Sequence, residues 1–150
     1  QQDLGLAIRQ SNLCSEITLA TNEERTAVCC LSSVNLEHFD KWSEDPQFIE
    51  DLITMLDNVI EHYIENAVDT SQLGGYSANF KRFTKYIKEG KEGYAKSAYS
   101  AYRERSVGLG AMGFHSFLQK KGVPFESAVA KSWNSKFRTS ISTCLRNSHQ

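Results

Sequence analysis

The sequence predicts a mostly helical chain with one short β segment near its N-terminal end, an α+β class. Three observations predict this. Residues 46–67 carry apolar side chains at three- and four-residue intervals, and residues 129–145 carry them at every fourth position. Between residues 26 and 36, in contrast, β-branched and small apolar residues follow one another as TAVCCLSSVNL. The 150 residues suit one domain, and a net charge of −1 gives no bias toward polyanionic partners or membrane surfaces. No apolar run approaches the ~20 residues of a membrane span. No secretory leader is visible at the start, and an opening Gln1 in place of Met predicts a processed product or a piece of something longer.

Taken in order, residues 11–19 read as extended, and the polar run from Ala20 to Arg25 reads as a turn. With residues 26–36 they predict two neighbouring strands, or a strand and a loop. Asp45-Pro46 then supplies an N-cap and a first helical position. Ile49, Leu52, Ile53, Leu56, Val59, Ile60, Tyr63, Ile64 and Ala67 form one apolar stripe, opposite Glu50, Asp51, Asp57, Glu61 and Glu65. Such a helix packs a core with its stripe and faces water with its acids.

Gly74-Gly75 breaks the chain, and residues 76–105 follow as a basic segment with interleaved tyrosines and phenylalanines. That mixture is used by single-stranded nucleic-acid binders, because bases stack on rings while phosphates meet cations. The acidic stretch 37–69 nearly cancels its charge, which favours a solvated helical face. Gly108, Gly110 and Gly113 satisfy G-x-G-x-x-G, but Arg103-Glu104-Arg105-Ser106 is a poor buried strand to precede a dinucleotide loop. The next acid, Glu126, comes too early and lies beyond a helix stop at Gly122-Val123-Pro124. The glycines instead predict close packing at the start of a helix over 111–121, with Met112, Phe114, Phe117 and Leu118 inward. A last helix from Glu126 carries Val129, Trp133, Phe137, Ile141 and Leu145 inward and frays near Arg146-Asn147.

The cysteines are Cys14, Cys29, Cys30 and Cys144. No C-x-x-C occurs, and the chain is large enough to fold without a disulfide framework. Neighbours on an extended backbone diverge, so Cys29 and Cys30 are not expected to bridge each other. These features predict a reducing, cytoplasmic setting. Cys144 reads as a small core residue. His38, His62, His115 and His149 lack ligand spacing, which predicts no zinc site.

The stretch QSNLCSEI, residues 10–17, is the candidate site. On an extended backbone Asn12, Cys14 and Glu16 point to one face, with Leu13 and Ile17 turned away. An amide, a thiol and a carboxylate aimed together have the makings of a site. Spacing alone favours the plainer reading, a short strand with one buried thiol and two solvated polar residues.

QSNLCSEI followed by AVCCLSSVNL resembles the catalytic segment of the large subunit of class I ribonucleotide reductase. YRERSVGLGAMGFHSFLQKKGVPFESAVAKSWN, residues 102–134, is similar to the region that follows it in that family. The resemblance covers residues 8–36 and 98–134 and leaves 135–150 unmatched, as a truncated or frame-shifted reading would. It implies that the chain is a slice of a ten-stranded α/β barrel, with Cys14 on a central loop. By the same resemblance Cys14 carries a thiyl radical, Glu16 acts as general base, and Asn12 hydrogen-bonds the substrate ribose. Ser11 joins these three in substrate binding, and Cys29 is one of two redox-active thiols, while Cys30 receives no catalytic role. The implied substrate is a ribonucleotide. Implied partners are a small radical-generating subunit with a dimetal centre, the remainder of the large subunit, and thioredoxin or glutaredoxin. No cofactor belongs to this segment, and the ATP and deoxynucleotide effector sites lie in absent parts. Two other readings stand beside this one: a helical binding module using residues 76–105, and a fragment of a cobalamin-dependent class II reductase. The block VGLGAMGFHSFLQKKG favours class I.

Overall fold

The computed structural model describes residue 5, residues 7–67 and residues 95–147. The Gly74-Gly75 break and the basic run up to residue 94 lie outside these, as do the side chains of Ala67, Cys144 and Leu145. The described elements are β1 (Cys30–Asn35), a 3-10 turn at Leu36–His38, α1 (Phe39–Trp42), α2 (Pro46–Ala67), α3 (Ala95–Glu104), β2 (Val107–Met112), α4 (Phe114–Lys120) and α5 (Ala128–Asn147). They fall into two compact units, Gln1–Cys30 with Asp57–Val107, and Leu31–Leu56 with Gly108–Gln150.

The predicted class holds: helices dominate, with one two-stranded sheet. Its pairing is not the one the sequence predicted. β1 pairs with β2, and residues 11–19 form no strand. The Cys30 amide donates to the Ser106 carbonyl at 3.2 Å, and Gly110 lies against Ser33 further along. The two strands advance together, so the pair is parallel and needs a long crossover between them. The glycine run is therefore a strand and not a helix start, since β2 continues to Met112. A Cβ at Gly110 would stand 3.0 Å from Ser33 Oγ, so glycine allows the backbones this approach. Gly108 and Gly110 lie within the strand and only Gly113 follows it, which is not the arrangement of a dinucleotide fingerprint. Met112, expected inward, is 57% exposed at the strand end.

Helix α4 starts at Phe114 because Gly113 takes φ +78° at its N-cap. A side chain there would collide with Asn35 Oδ1, which accepts the Glu37 amide at 3.0 Å. The helix stops where predicted. Gly122 turns left-handed at φ +65°, the Val123 amide donates to the Leu118 carbonyl at 2.9 Å, and the Gly122 amide to Gln119 at 3.1 Å. These two bonds satisfy end carbonyls that the helix itself leaves open.

The second unit has an aromatic core. Phe39, Trp42, Phe117 and Phe137 are buried with Val34, Leu36, Ile49, Leu118 and Ala130, and Trp133 packs against them. Most rings meet edge to face, with Phe39 centred 4.6 Å from Phe137 and Phe117 centred 4.9 Å from Trp133, while Trp133 stacks on Phe137. Helix α2 enters with Asp45 as its cap, accepting the Gln47 amide at 3.0 Å, as the sequence predicted. Helix α5 is capped by Ser127, whose hydroxyl accepts the Ala130 amide at 3.1 Å. That start sets its phase so that Ala130, Trp133, Phe137 and Ile141 face the core. Val129, expected inward, lies one step off this stripe and is 53% exposed. Lys120 and Lys121 reach Glu37 and Asp40 at 2.8 and 2.7 Å across the surface.

The first unit packs Ile60, Ile64 and Ala101 against Val28, Cys30, Tyr63, Tyr102 and Val107. In α3 the four successive residues Ala98, Tyr99, Ser100 and Ala101 are all buried, so this helix is not simply a solvated basic face. Arg105, with φ +40°, turns the chain from α3 into β2. Its Nε donates to Asp57 Oδ1 at 2.8 Å and one terminal nitrogen donates to Glu61 Oε2 at 2.6 Å. Two of the acids expected to face only water are thus tied to an arginine. The hydrogen bond from Arg105 holds the Asp57 carboxyl below its ordinary range.

Replacing Phe117 by Ala is expected to lower the unfolding free energy by about 3–5 kcal/mol, read from urea midpoints. Asp57 ionises more easily folded than unfolded. Its stabilisation is therefore complete above the unfolded pKa of about 3.9 and is lost as pH falls through the folded value. Arg105→Gln should flatten that part of the stability–pH curve, measured by urea denaturation between about pH 5 and 2.

Candidate active site

Residues 13–15 form a turn, where the spacing of N-x-C-x-E suggested a strand. The Ser15 amide donates to the Asn12 carbonyl at 3.1 Å, and Ser15 adopts φ +64°. The reason lies in Asn12. Its Oδ1 accepts the Ile17 amide at 2.9 Å, and its Nδ2 donates to Glu16 Oε1. An asparagine that satisfies backbone groups a few residues on favours a turn over a strand ladder. The amide and the carboxylate do come together, but around a turn and not by alternation on a pleat. Cys14 stands at the exposed apex beside Leu13, which is fully exposed and not turned inward. Ser11 donates from its hydroxyl to the Asn12 carbonyl at 3.1 Å, bracing the same turn.

Cys29 sits half-buried one residue before β1, its thiol 3.7 Å from the Cys30 carbonyl oxygen. Burial pushes the Cys29 thiol pKa up, and the charges of Cys30 and Glu16 push it the same way. Glu16 therefore acts electrostatically on Cys29 across thirteen residues of sequence. Cys30 packs against the first unit's apolar cluster, and burial raises its pKa too. Cys14, Cys29 and Cys30 are free thiols. Among the described residues no three His, Cys, Asp or Glu side chains gather as a metal site. None of the described helices is long and apolar enough to cross a membrane.

The structure thus unites Asn12 with Glu16, braces them through Ser11, puts Cys14 at the apex and sets Cys29 within the field of Glu16. Sequence reasoning missed Arg25 and Glu104. The Arg25 guanidinium donates to Glu104 Oε1 at 2.8 Å, with side chains only 9% and 7% exposed. It also lies over the Tyr99 ring, 5.5 Å from its centre. Nothing in a polar run read as a turn marks one of its charges for burial.

A family model described as the barrel domain of ribonucleotide reductase matches residues 1–149. The chain belongs to the ribonucleotide reductase family. The match extends past Asn134, where the resemblance legible in the residues stopped. The chain is 44% identical over 145 residues to the ribonucleoside-diphosphate reductase large subunit of Invertebrate iridescent virus 3, covering 97% of this chain and 19% of that protein. It is 41% identical over 134 residues to the large subunit of Invertebrate iridescent virus 6, covering 87% of this chain and 12% of that one. The class Id ribonucleotide reductase alpha subunit of Actinobacillus ureae superposes with a TM-score of 0.74 at 28% identity, over 98% of this chain and 24% of that one. The chain thus spans about a fifth or less of the length of these curated relatives. Its parallel strand pair and flanking helices fit a slice of the reductase barrel.

Iodoacetamide should modify Cys14 before Cys29, followed by peptide mass spectrometry, because one thiol is exposed and the other half-buried. The alkylation profile of Cys29 should lie toward high pH, and Glu16→Gln should move it down by removing one of the raising charges.

Proposed function

We propose that the chain is part of the catalytic barrel of a class I ribonucleotide reductase large subunit, which reduces ribonucleoside diphosphates to 2′-deoxyribonucleotides. The observation that carries the reading is the turn at residues 12–16, where Asn12 holds Glu16 beside an exposed Cys14. In this reading the Cys14 thiyl radical takes the 3′ hydrogen of the ribose, forming an S–H bond as the C–H bond breaks. Sulfur suits the step because its weak S–H bond keeps the exchange nearly balanced. Glu16 accepts the 3′-hydroxyl proton. Asn12 and Ser11 hold the ribose in register, which counts because a small misplacement is costly in rate. The 2′-hydroxyl leaves as water, and Cys29 with a second thiol outside this chain supplies two electrons and two protons and becomes a disulfide. The hydrogen held on Cys14 then returns to C3′, which restores the thiyl radical. A raised thiol pKa suits Cys29 to this role, since it keeps its proton until the substrate needs it.

The remaining parts belong to other chains or segments. A small subunit with a dimetal centre generates the radical, thioredoxin or glutaredoxin restores the thiols, and the rest of the large subunit completes the barrel and binds ATP and deoxynucleotide effectors. The compartment is the cytoplasm, and the isolated 150-residue chain is inactive. The binding-module reading draws no support from Arg105, a cation of the basic segment that is engaged with Asp57 and Glu61.

In a full-length subunit carrying this segment, Cys14→Ser should abolish deoxynucleotide formation, because an O–H bond is too strong to take over the hydrogen transfer. Glu16→Gln should lower kcat by roughly 10²–10⁴-fold. Both are read from product formed with the small subunit present, and full turnover by Cys14→Ser would sink the assignment.

A further inference from the structure

The loop between Glu16 and Cys29 is closed on itself. The Ala27 amide donates to Thr21 Oγ1 at 3.1 Å, joining the two ends of residues 21–27. Inside it, Asn22 Oδ1 accepts the amides of Glu24 and Arg25 at 2.9 and 3.1 Å, and the Asn22 amide donates to the Arg25 carbonyl at 3.0 Å. Ala20, at its entrance, is buried. A closed loop of this kind returns the chain close to its own entry, with Glu16 on one flank and Cys29 on the other.

Two contacts bolt the closed loop to α3. The Thr26 amide donates to the Lys96 carbonyl at 3.2 Å, and Arg25 reaches Glu104 at the far end of that helix. The second is the unusual one. Arg25 is buried in the first unit, over the Tyr99 ring, and its Nε has no hydrogen-bond partner among the described residues. An arginine buried with an unused donor is costly, and a hydrophobic side chain of similar size would satisfy the packing at least as well. What a hydrophobic residue would not supply is a directional bond that holds one loop orientation.

We propose that the Arg25–Glu104 ion pair is a positioning device for the reaction, orienting the loop that sets Glu16 against Cys29. Arg25 and Glu104 touch neither substrate nor reacting atoms in this account. They act through the loop, whose two flanks carry the base and a redox thiol. The proposal rests on the roles assigned above to Glu16 and Cys29. The groups whose charge acts on Cys29 are Glu16 and Cys30, so a loosened loop moves Glu16 away and lets water reach the thiol.

The test uses Arg25→Gln, Arg25→Lys, Glu104→Gln and the Arg25→Gln/Glu104→Gln double variant, with two readouts. The first is the pH profile of Cys29 alkylation in the 150-residue chain. Arg25→Gln and Glu104→Gln should each shift it toward lower pH, Arg25→Lys should restore part of the shift, and the double variant should resemble the singles because both act through one contact. The second is turnover in the full-length subunit, where the singles should lower kcat roughly ten- to a hundredfold with KM within about twofold. An unchanged Cys29 profile in a variant that melts cooperatively would overturn the proposal, as would additive effects in the double variant. Should Arg25→Gln fail to fold, Arg25→Lys and Glu104→Gln decide the matter by the same profile. If the unmutated full-length subunit reduces no ribonucleotide, the functional reading fails, while the alkylation profile still reports on the pair.

Discussion

The pairing of β1 with β2 is the constraint on which the remaining structure depends. Two strands can run parallel only if the chain leaves one end of the pair and returns to the other, so residues 36–106 form one long crossover. That requirement explains why the chain is mostly helical despite its short sheet. It also explains the glycines of β2, which let that strand lie close against Ser33, and Gly113, which ends it beside Asn35. Cys29 immediately precedes β1 at the beginning of this pair. The aromatic cluster follows the other end, through Leu36 and Phe39.

The candidate site shows a division of labour between local and distant forces. Asn12 makes its own turn. Its side chain accepts the Ile17 amide and donates to the Glu16 carboxylate, and its backbone carbonyl accepts the Ser15 amide, all within six residues. That part of the site is built by sequence-local chemistry. The relation of Glu16 to Cys29 is not, because it depends on a closed loop and on a helix some seventy residues later. Burial first, and then the charges of Cys30 and Glu16, push the Cys29 thiol toward keeping its proton.

Charge placement follows the same logic. Lys120 and Lys121 pair with Glu37 and Asp40 where water screens them, so those pairs add little. Arg105 stands differently. It takes a left-handed backbone at the junction of α3 and β2 and spreads its guanidinium over two carboxylates one turn apart on α2. The later part of the long helix is thereby tied to the end of α3 by an arginine fork, a geometry lysine does not supply.

Residues 46–67 and 114–120 were legible because their signals are local: a cap at Asp45, a 3.6-residue stripe, and a Gly-Val-Pro stop. The family, too, was legible, since two ordered blocks of side-chain chemistry survive in the sequence. By itself the sequence determined the long helix from its cap at Asp45, the stop after Lys120, and the family blocks that name the candidate residues. It did not determine which strand pairs with which, because β pairing is non-local and a glycine-rich run serves a helix start or a close strand equally well. Nor did it determine that N-x-C-x-E forms a turn, since a period of two cannot reveal that an asparagine will cap its own backbone. The burial of Arg25 against Glu104 was likewise decided only in three dimensions, where α3 brings an acid to a loop that sequence reads as polar and exposed.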